Sequence, residues 1–450
     1  MTDQERNLSN RRRSLRRARM EAALWRFWMR RGLGQTLLWP VSQLYALVVR
    51  HLRDRGRAQA ARVFVPVRAV VGIGNLTVGG SGKTPATLWL ASALRQELAP
   101  QGLKVGILTR GYGASASREY SFAERLRQRV VSINGSRPVA RAHANKPWSG
   151  DRESCESDGE AGSGYWVRAD SDPGQVGDEP VLLARRTGLP VRVDRDRVRG
   201  LHALAQAGVD VVVADDALQH YRLPLHLRIL LVHGARHFGN GLPLPAGPLR
   251  EPMEGVAPFD AMIRVTAATD DTKPAAPQWS DFGAAFRVAI ETEARVTMAS
   301  RWLSVEKVSG ETKQLDPAAL SPGTRVHAVA GIADPERFFL AVEALGVSVV
   351  RHPFPDHHQF TFDDFAFDDD ATVVMTEKDA VKLAYLLGVD AVSQRPLGGF
   401  WFWPMMLRID RDVFENLLTR LEARIQLNQA KGVDTRHDWR DRRLPGQDLW

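Results

Sequence analysis

The stretch VGIGNLTVGGSGKTPATLWL, residues 71–90, decides the fold. An apolar, β-branched run, VFVPVRAVVGIGN (63–75), gives way to glycines and then to TPATLWLASALRQEL (84–98), whose apolar spacing is that of an amphipathic helix. Strand, glycine-rich loop and helix stand in the order a phosphate-binding loop requires, because successive backbone N–H groups at a helix N-terminus cradle phosphate oxygens. The general pattern is G-x-x-x-x-G-K-[ST]. Gly82, Lys83 and Thr84 fill its last places, and Thr77 stands where the first glycine belongs. Gly79, Gly80 and Gly82 still let the chain wrap tightly, so Thr77, Val78, Gly79, Gly80, Ser81, Gly82, Lys83 and Thr84 are expected to bind nucleotide. Lys83 would reach the β- and γ-phosphates, and the Thr84 hydroxyl would take a place on Mg²⁺. The competing reading is a glycine-rich turn with an incidental GKT. A dinucleotide site is disfavoured, because G-x-G-x-x-G spacing is missing and a lysine stands where backbone alone would neutralise the phosphates.

Further apolar runs at 104–110, 209–216 and 227–234 are too continuous for half-exposed strands and are separated by helix-length segments. Buried parallel strands account for them. VDVVVADD places Asp215 and Asp216 at the carboxyl end of such a strand, the edge where open α/β sheets bind ligands. One of the two is expected to hold Mg²⁺. A solvated pair at a loop entry is the alternative.

The fold class is therefore α/β: a P-loop NTPase-like parallel sheet domain with a second, smaller α/β domain joined by a β-hairpin-like linker. A basic amphipathic segment (1–60) precedes the core domain (61–267), in which 133–175 reads as a loop insertion. A linker with strands (268–325) includes a turn at Ser309 and Gly310, a smaller domain follows (326–425), and the polar tail (430–450) reads as disordered.

The chain has 450 residues, 44% of them hydrophobic, which is ordinary for a protein that buries real cores. A single cysteine, Cys155, excludes an intramolecular disulfide and a cysteine metal site and fits a reducing cytosol. The net charge of +9 is concentrated at the start, where the first sixty residues carry fourteen arginines against Asp3, Glu5, Glu21 and Asp54. Among those arginines runs LWRFWMRRGLGQTLLWPVSQLYALVV (24–49), the composition of a segment lying in a membrane interface beside anionic headgroups. A nucleic-acid arm competes, but such arms rarely carry so many contiguous apolar residues. A spanning helix is disfavoured by Gln35, Pro40 and Gln43 within a short apolar stretch. No small-residue cleavage site follows, so a peripheral position on the cytoplasmic side is expected.

Eight motifs in order, NLTVGGSGKTP, LTRGYG, GDEPVLLARR, DDALQH, FGNGLPLPAGPLREP, AGIADPERFF, FPDHHQFT and TEKDAVKL, resemble those of the tetraacyldisaccharide 4'-kinases, the lipid A 4'-kinases of Gram-negative bacteria. The resemblance runs from about residue 35 to residue 410, and Thr77 is part of it, since the family's loop resembles NxTVGGxGKTP. It implies transfer of the ATP γ-phosphate, with Mg²⁺, to the 4'-hydroxyl of a tetraacylated glucosamine disaccharide 1-phosphate at the inner membrane. Neither nucleic acid nor an obligate protein partner is implied.

The match assigns Asp178 of GDEP as the catalytic aspartate and His357 of FPDHH as its paired histidine, the two meeting when the domains close. Alone, Asp178 reads equally as a helix N-terminal residue, and His357 or His358 as a loop histidine. Glu179 is a candidate metal ligand, and Arg110, Asn240, Arg250 and Glu251 are candidate substrate contacts. Lys378 is a further candidate for phosphate. Three departures stand out: Ala217 where the family favours glycine, His233 where it favours aspartate, and the long insertion before GDEP. A P-loop regulatory ATPase or GTPase on a membrane is the alternative function, although TEKD has Glu377 where a guanine-reading NKxD has asparagine. A non-catalytic glycolipid carrier is the third reading.

Overall fold

The computed structural model describes residues 20, 23–111, 164–267, 287–308, 311–332, 335–389 and 399–430. Most of the insertion, the first nineteen residues, the Ser309–Gly310 turn and the polar tail lie outside the described residues.

The apolar runs become strands β1 (Ala69–Gly74), β2 (Val105–Thr109), β3 (Tyr165–Val167), β4 (Val191–Val193), β5 (Val211–Ala214), β6 (Leu227–His233), β7 (Ala261–Ala267) and β8 (Glu291–Met298). Their central members are buried along their whole length, as continuous β-branched sequence requires of a sheet covered on both faces. β1 pairs in parallel with β5 on one side and β6 on the other, so the P-loop leaves the middle of the sheet. It opens the helix Lys83–Leu98, which covers one face with Leu90, Ala91, Leu94 and Leu98.

The second sheet holds β9 (Trp302–Val308), β10 (Glu311–Leu315), β11 (Arg325–Ala330), β12 (Ser348–Pro353), β13 (Thr372–Thr376) and β14 (Phe400–Trp403). β9 and β10 form the expected antiparallel hairpin. β15 (Met405–Arg408) then returns to the first sheet and pairs antiparallel with β8. FWFWPMMLR thus reads as one apolar run but serves two sheets, and Pro404, which has no N–H to donate, stands at the crossing. There the Ala299 N–H donates to the Pro404 carbonyl at 2.9 Å, and the Trp403 indole N–H donates to the Ala299 carbonyl at 2.8 Å. The helix Arg411–Ala430, the last among the described residues, buries Leu417, Leu421 and Ile425 in the first core. The sheets therefore do not divide at residues 268, 325 and 425: β8 belongs with the first sheet, β9 and β10 with the second, and the chain from β15 onward with the first.

The helix Leu33–Ala60 reverses the usual amphipathic arrangement. Gln35, Ser42, Ala46, Arg53 and Gly56 face the protein. Leu33, Leu37, Val41, Leu44, Val48 and Leu52, each at least half exposed, recur every three or four residues along the outer face.

Candidate active site

The P-loop is stitched in place by its neighbours. Thr77 bridges Leu249, the Val78 N–H donates to the Pro248 carbonyl at 3.0 Å, and the Asn75 side chain donates to the Thr77 carbonyl at 2.8 Å. Gly82 caps the helix at φ +76°, and a methyl group there would lie 2.9 Å from Val265 Cγ1, so both conformation and space demand glycine. Gly79 is also left-handed at φ +96°, whereas Gly80 faces open space. The Ser81 hydroxyl is buried without a hydrogen-bond partner among the described residues, as expected of a group that a phosphate oxygen would satisfy. Lys83 opens the helix, its Nζ 3.3 Å from Asn75 Oδ1 and 3.8 Å from Asp216 Oδ1.

The two aspartates after β5 have different surroundings. Asp216, held at φ +47°, accepts from Arg250 at 3.0 and 3.1 Å and faces Lys83. Burial raises its proton affinity, but Lys83 and Arg250 outweigh burial and hold it below the ordinary carboxylate range. Asp215 accepts from the Thr87 hydroxyl at 2.9 Å and the Thr109 hydroxyl at 3.3 Å. Burial and the Asp216 charge push it up. Ala217 brings no strain, because the left-handed residue of this turn is Asp216 and the Ala217 N–H donates to the Ile73 carbonyl at 2.9 Å.

Asp178 begins the helix Asp178–Thr187 on the first sheet's side, and His357 follows β12 of the second. His357 Nδ1 lies 3.2 and 3.1 Å from the two Asp178 oxygens, with the histidine backbone at φ +62°. Lys382 and Lys378 approach the same carboxylate at 3.6 and 3.8 Å. Burial pushes Asp178 up, yet the His357 bond and the two lysines prevail and bring it down to about 2. The Asp178 bond in turn raises His357 above 6.5, against its partial burial. Lys378 also meets Asp356 at 3.1 Å and Glu179 at 3.7 Å and is raised despite its burial. His358 turns elsewhere, 3.1 Å from Asp364 and stacked on Phe354, so of the two histidines His357 is the one that meets Asp178.

Two expected substrate residues make contacts within the scaffold. The Asn240 side chain donates to the Arg30 and Ala246 carbonyls at 3.2 and 2.9 Å and accepts from the Leu242 N–H at 3.0 Å. Glu251 is 1% exposed and accepts from Gln219 at 2.9 Å and Tyr221 at 3.0 Å, with Arg53 of the outer helix 3.7 Å away. Arg110 lies near Arg197 and His220, and its charge contributes to lowering both, after burial. Glu377 is likewise spent, buried against Arg186 and accepting the Met405 N–H, so it does not stand in for a guanine-reading residue.

Among the described residues no three His, Cys, Asp or Glu side chains gather closely enough to cage a metal. Mg²⁺ does not ask for a cage: it takes one or two carboxylates and keeps phosphate oxygens and waters. Hard oxygen donors are present in the Thr84 hydroxyl and in Asp215, Asp216 and Glu179, with Asp215 adding to the burial that raises Glu179. This donor set fits Mg²⁺, and Asp216, ionised and facing Lys83, fits it better than Asp215, whose oxygens serve Thr87 and Thr109.

Sequence alone assigned no role to Asn75, Thr87, Thr109, Lys382 and Gln219, whose side chains contact site residues. Four of them lie inside quoted motifs, Asn75 in NLTVGGSGKTP, Thr109 in LTRGYG, Gln219 in DDALQH and Lys382 in TEKDAVKL, and Thr87 follows the P-loop motif by two residues, but nothing in the residue types marked them.

The sequence pattern of the family described as tetraacyldisaccharide-1-P 4'-kinase matches residues 34–139 and 158–422. The tetraacyldisaccharide 4'-kinase of Alkalilimnicola ehrlichii is 38% identical over 410 residues, covering 88% of this chain and 97% of the relative. That of Xanthomonas oryzae pv. oryzae is 36% identical over 404 residues, covering 89% and 94%. Among solved structures, the crystal structure of "apo" form LpxK from Aquifex aeolicus in complex with ATP aligns with a TM-score of 0.57 at 23% identity, over 87% of this chain and 99% of that one. At that identity the alignment speaks for the fold. The chain belongs to the tetraacyldisaccharide-1-P 4'-kinase family.

Proposed function

We propose that this protein transfers the γ-phosphate of ATP to the 4'-hydroxyl of a tetraacylated glucosamine disaccharide 1-phosphate, the lipid A precursor, at a membrane surface. The observation that carries the reading is the contact between Asp178 and His357, which joins the two sheets beside a P-loop whose lysine faces an ionised aspartate.

Phosphoryl transfer asks the protein mainly for positioning and charge neutralisation. The N–H groups of residues 79–84, the Ser81 hydroxyl and Lys83 would hold the phosphates. Thr84 with Asp216, or with Asp215 or Glu179, would hold Mg²⁺, which when bound neutralises the β- and γ-phosphate oxygens. A sugar hydroxyl is a weak nucleophile at neutral pH, and the Asp178–His357 pair takes its proton as attack proceeds. Lys378 and Lys382 keep Asp178 ionised for that task. Closure of the two sheets on one another excludes water that would otherwise compete for the γ-phosphate.

The acceptor's chemistry suits the adjoining surface. A cleft of about 470 Å³ is lined by Arg55, Arg195, Arg197, His220, Tyr221 and Arg222 among others. Arg197 is buried, with Nε and Nη1 lacking hydrogen-bond partners among the described residues, which suits a ligand rich in phosphate and hydroxyl oxygens. The cleft adjoins the helix Leu33–Ala60, whose outer apolar stripe would rest in the bilayer that holds the acyl chains. Among the described residues no helix is long and apolar enough to cross a membrane. A regulatory ATPase would hydrolyse nucleotide without an acceptor. Incubation with γ-labelled ATP, Mg²⁺ and the glycolipid in mixed micelles separates the two, since label must enter the lipid if the kinase reading holds and stays in ATP and free phosphate if it fails.

A further inference from the structure

β6 lies beside β1, so the turn that follows it is delivered to the same end of the sheet as the P-loop. Arg236 sits in that turn. His233 Nδ1 accepts the backbone N–H groups of Ala235 at 3.2 Å and Arg236 at 3.3 Å, performing the capping an aspartate would provide at this position. The Arg236 guanidinium carbon lies 4.8 Å from the centroid of the Trp25 ring. Trp25 is 6% exposed and packs edge-to-face with Trp28, whose indole N–H donates to the Pro245 carbonyl at 3.0 Å. Both aromatic side chains are therefore fixed.

The same pair touches the phosphate loop. A methyl group placed on Gly79 would lie 3.5 Å from the Trp25 indole nitrogen and 3.8 Å from Arg236 Nη1. Gly79, at φ +96°, is one of the two left-handed glycines that shape the cradle. A guanidinium lying over an aromatic ring carries five N–H donors in a planar fork, which matches phosphate oxygens. Its residual freedom is small, so little entropy is lost when a ligand arrives.

We propose that Arg236 is a further nucleotide-binding residue, contacting the phosphate chain of ATP in the P-loop, and that Trp25 is the positioning residue that holds it there. This rests on the reading of residues 77–84 as a nucleotide site and extends it to two residues outside the motif. One consequence is that the segment preceding the outer helix completes the nucleotide pocket.

The test is titration calorimetry of the full chain with MgADP and with the Mg²⁺ complex of a non-hydrolysable ATP analogue. Arg236→Ala is expected to weaken at least the triphosphate by about ten-fold or more, the scale of a lost charged hydrogen bond. Weakening of both ligands puts the contact on the α- or β-phosphate; weakening of the triphosphate alone puts it on the γ-phosphate. Arg236→Lys, which keeps the charge and loses the fork, should recover part of the affinity. Trp25→Ala should weaken nucleotide and Trp25→Phe should not, while the KM for glycolipid stays at the wild-type value in all four variants. Thermal melting is run alongside. Should an alanine variant fail to fold, Arg236→Lys decides, with unchanged affinity contradicting the proposal. A lower melting temperature with wild-type affinity in Arg236→Ala would also overturn it, by showing that the arginine serves only packing. If the wild type itself bound neither ligand, the nucleotide reading would fall with it, a result distinct from wild-type binding that Arg236→Ala leaves intact.

Discussion

Asp178 and His357 are 179 residues apart in sequence, and His357 Nδ1 stands 3.1 Å from Asp178 Oδ2. One residue starts a helix on the first sheet and the other follows a strand of the second, so the pair exists only while the two sheets are together. Separate removal of each group should therefore damage turnover and spare nucleotide binding. Asp178→Ala and His357→Ala are each expected to lower kcat by about 10²-fold or more, the scale of lost general-base assistance. Steady-state kinetics with a parallel nucleotide titration checks this, and full turnover in either variant would remove that residue from the reaction.

The pair also predicts a titration. His357 is raised above 6.5 chiefly by its bond to Asp178, so it remains protonated to higher pH in the folded protein than in the unfolded chain. Its contribution to holding the sheets together is fully present below the unfolded value and fades as the pH rises through the folded one. Asp178 has the opposite sign: brought down to about 2, it contributes above its unfolded value and loses that contribution only as the pH falls towards 2. NMR titration, with the His357 signal assigned by its loss in His357→Gln, should give an apparent pKa above 6.5 that drops in Asp178→Asn. An unchanged value in Asp178→Asn would show that the bond does not set it.

Gly82 offers a test of the phosphate cradle that leaves every charged group in place. An alanine there must adopt φ +76° and meet Val265 at 2.9 Å. Gly82→Ala is expected to cost about 1–3 kcal/mol in stability and to weaken nucleotide binding, because the loop cannot keep its shape. Denaturant melts and a nucleotide titration check it. Wild-type affinity in this variant would mean that the loop does not hold the phosphates.

The outer helix makes a prediction about surfaces. Leu37 is 79% exposed and Leu44 63%, so glutamate at these positions should leave the fold intact. Leu37→Glu combined with Leu44→Glu is expected to reduce flotation with anionic phospholipid vesicles and to raise the KM for glycolipid. Equal flotation of variant and wild type would place the membrane contact elsewhere.

The β-strand core, the P-loop and the helix after it were legible because each rests on local signals: continuous β-branched runs, glycines at fixed offsets and 3.6-residue spacing. The contact between Asp178 and His357 was legible only through the ordered motifs, since nothing in GDEP or FPDHH alone distinguishes a catalyst from a cap or a loop histidine. Asn240 and Glu251 read as substrate contacts because a glycine- and proline-rich loop suggests binding, and sequence could not show that their side chains also hold the loop itself and the outer helix. The return of β15 to the first sheet was hidden because periodicity does not say which sheet an apolar run joins. Lys382 was missed for a similar reason: a lysine in a helix of the second sheet reads as solvated until the fold buries it against Asp178.

The fate of the γ-phosphate separates a glycolipid kinase from an ATPase. Purified protein incubated with γ-labelled ATP, Mg²⁺ and tetraacyldisaccharide 1-phosphate should yield a lipid carrying one new phosphate monoester. Phosphorus–proton correlation should place that ester on the 4' carbon, and Asp178→Ala should nearly abolish its formation. Label confined to ATP and inorganic phosphate, or an ester on another hydroxyl, would contradict the account.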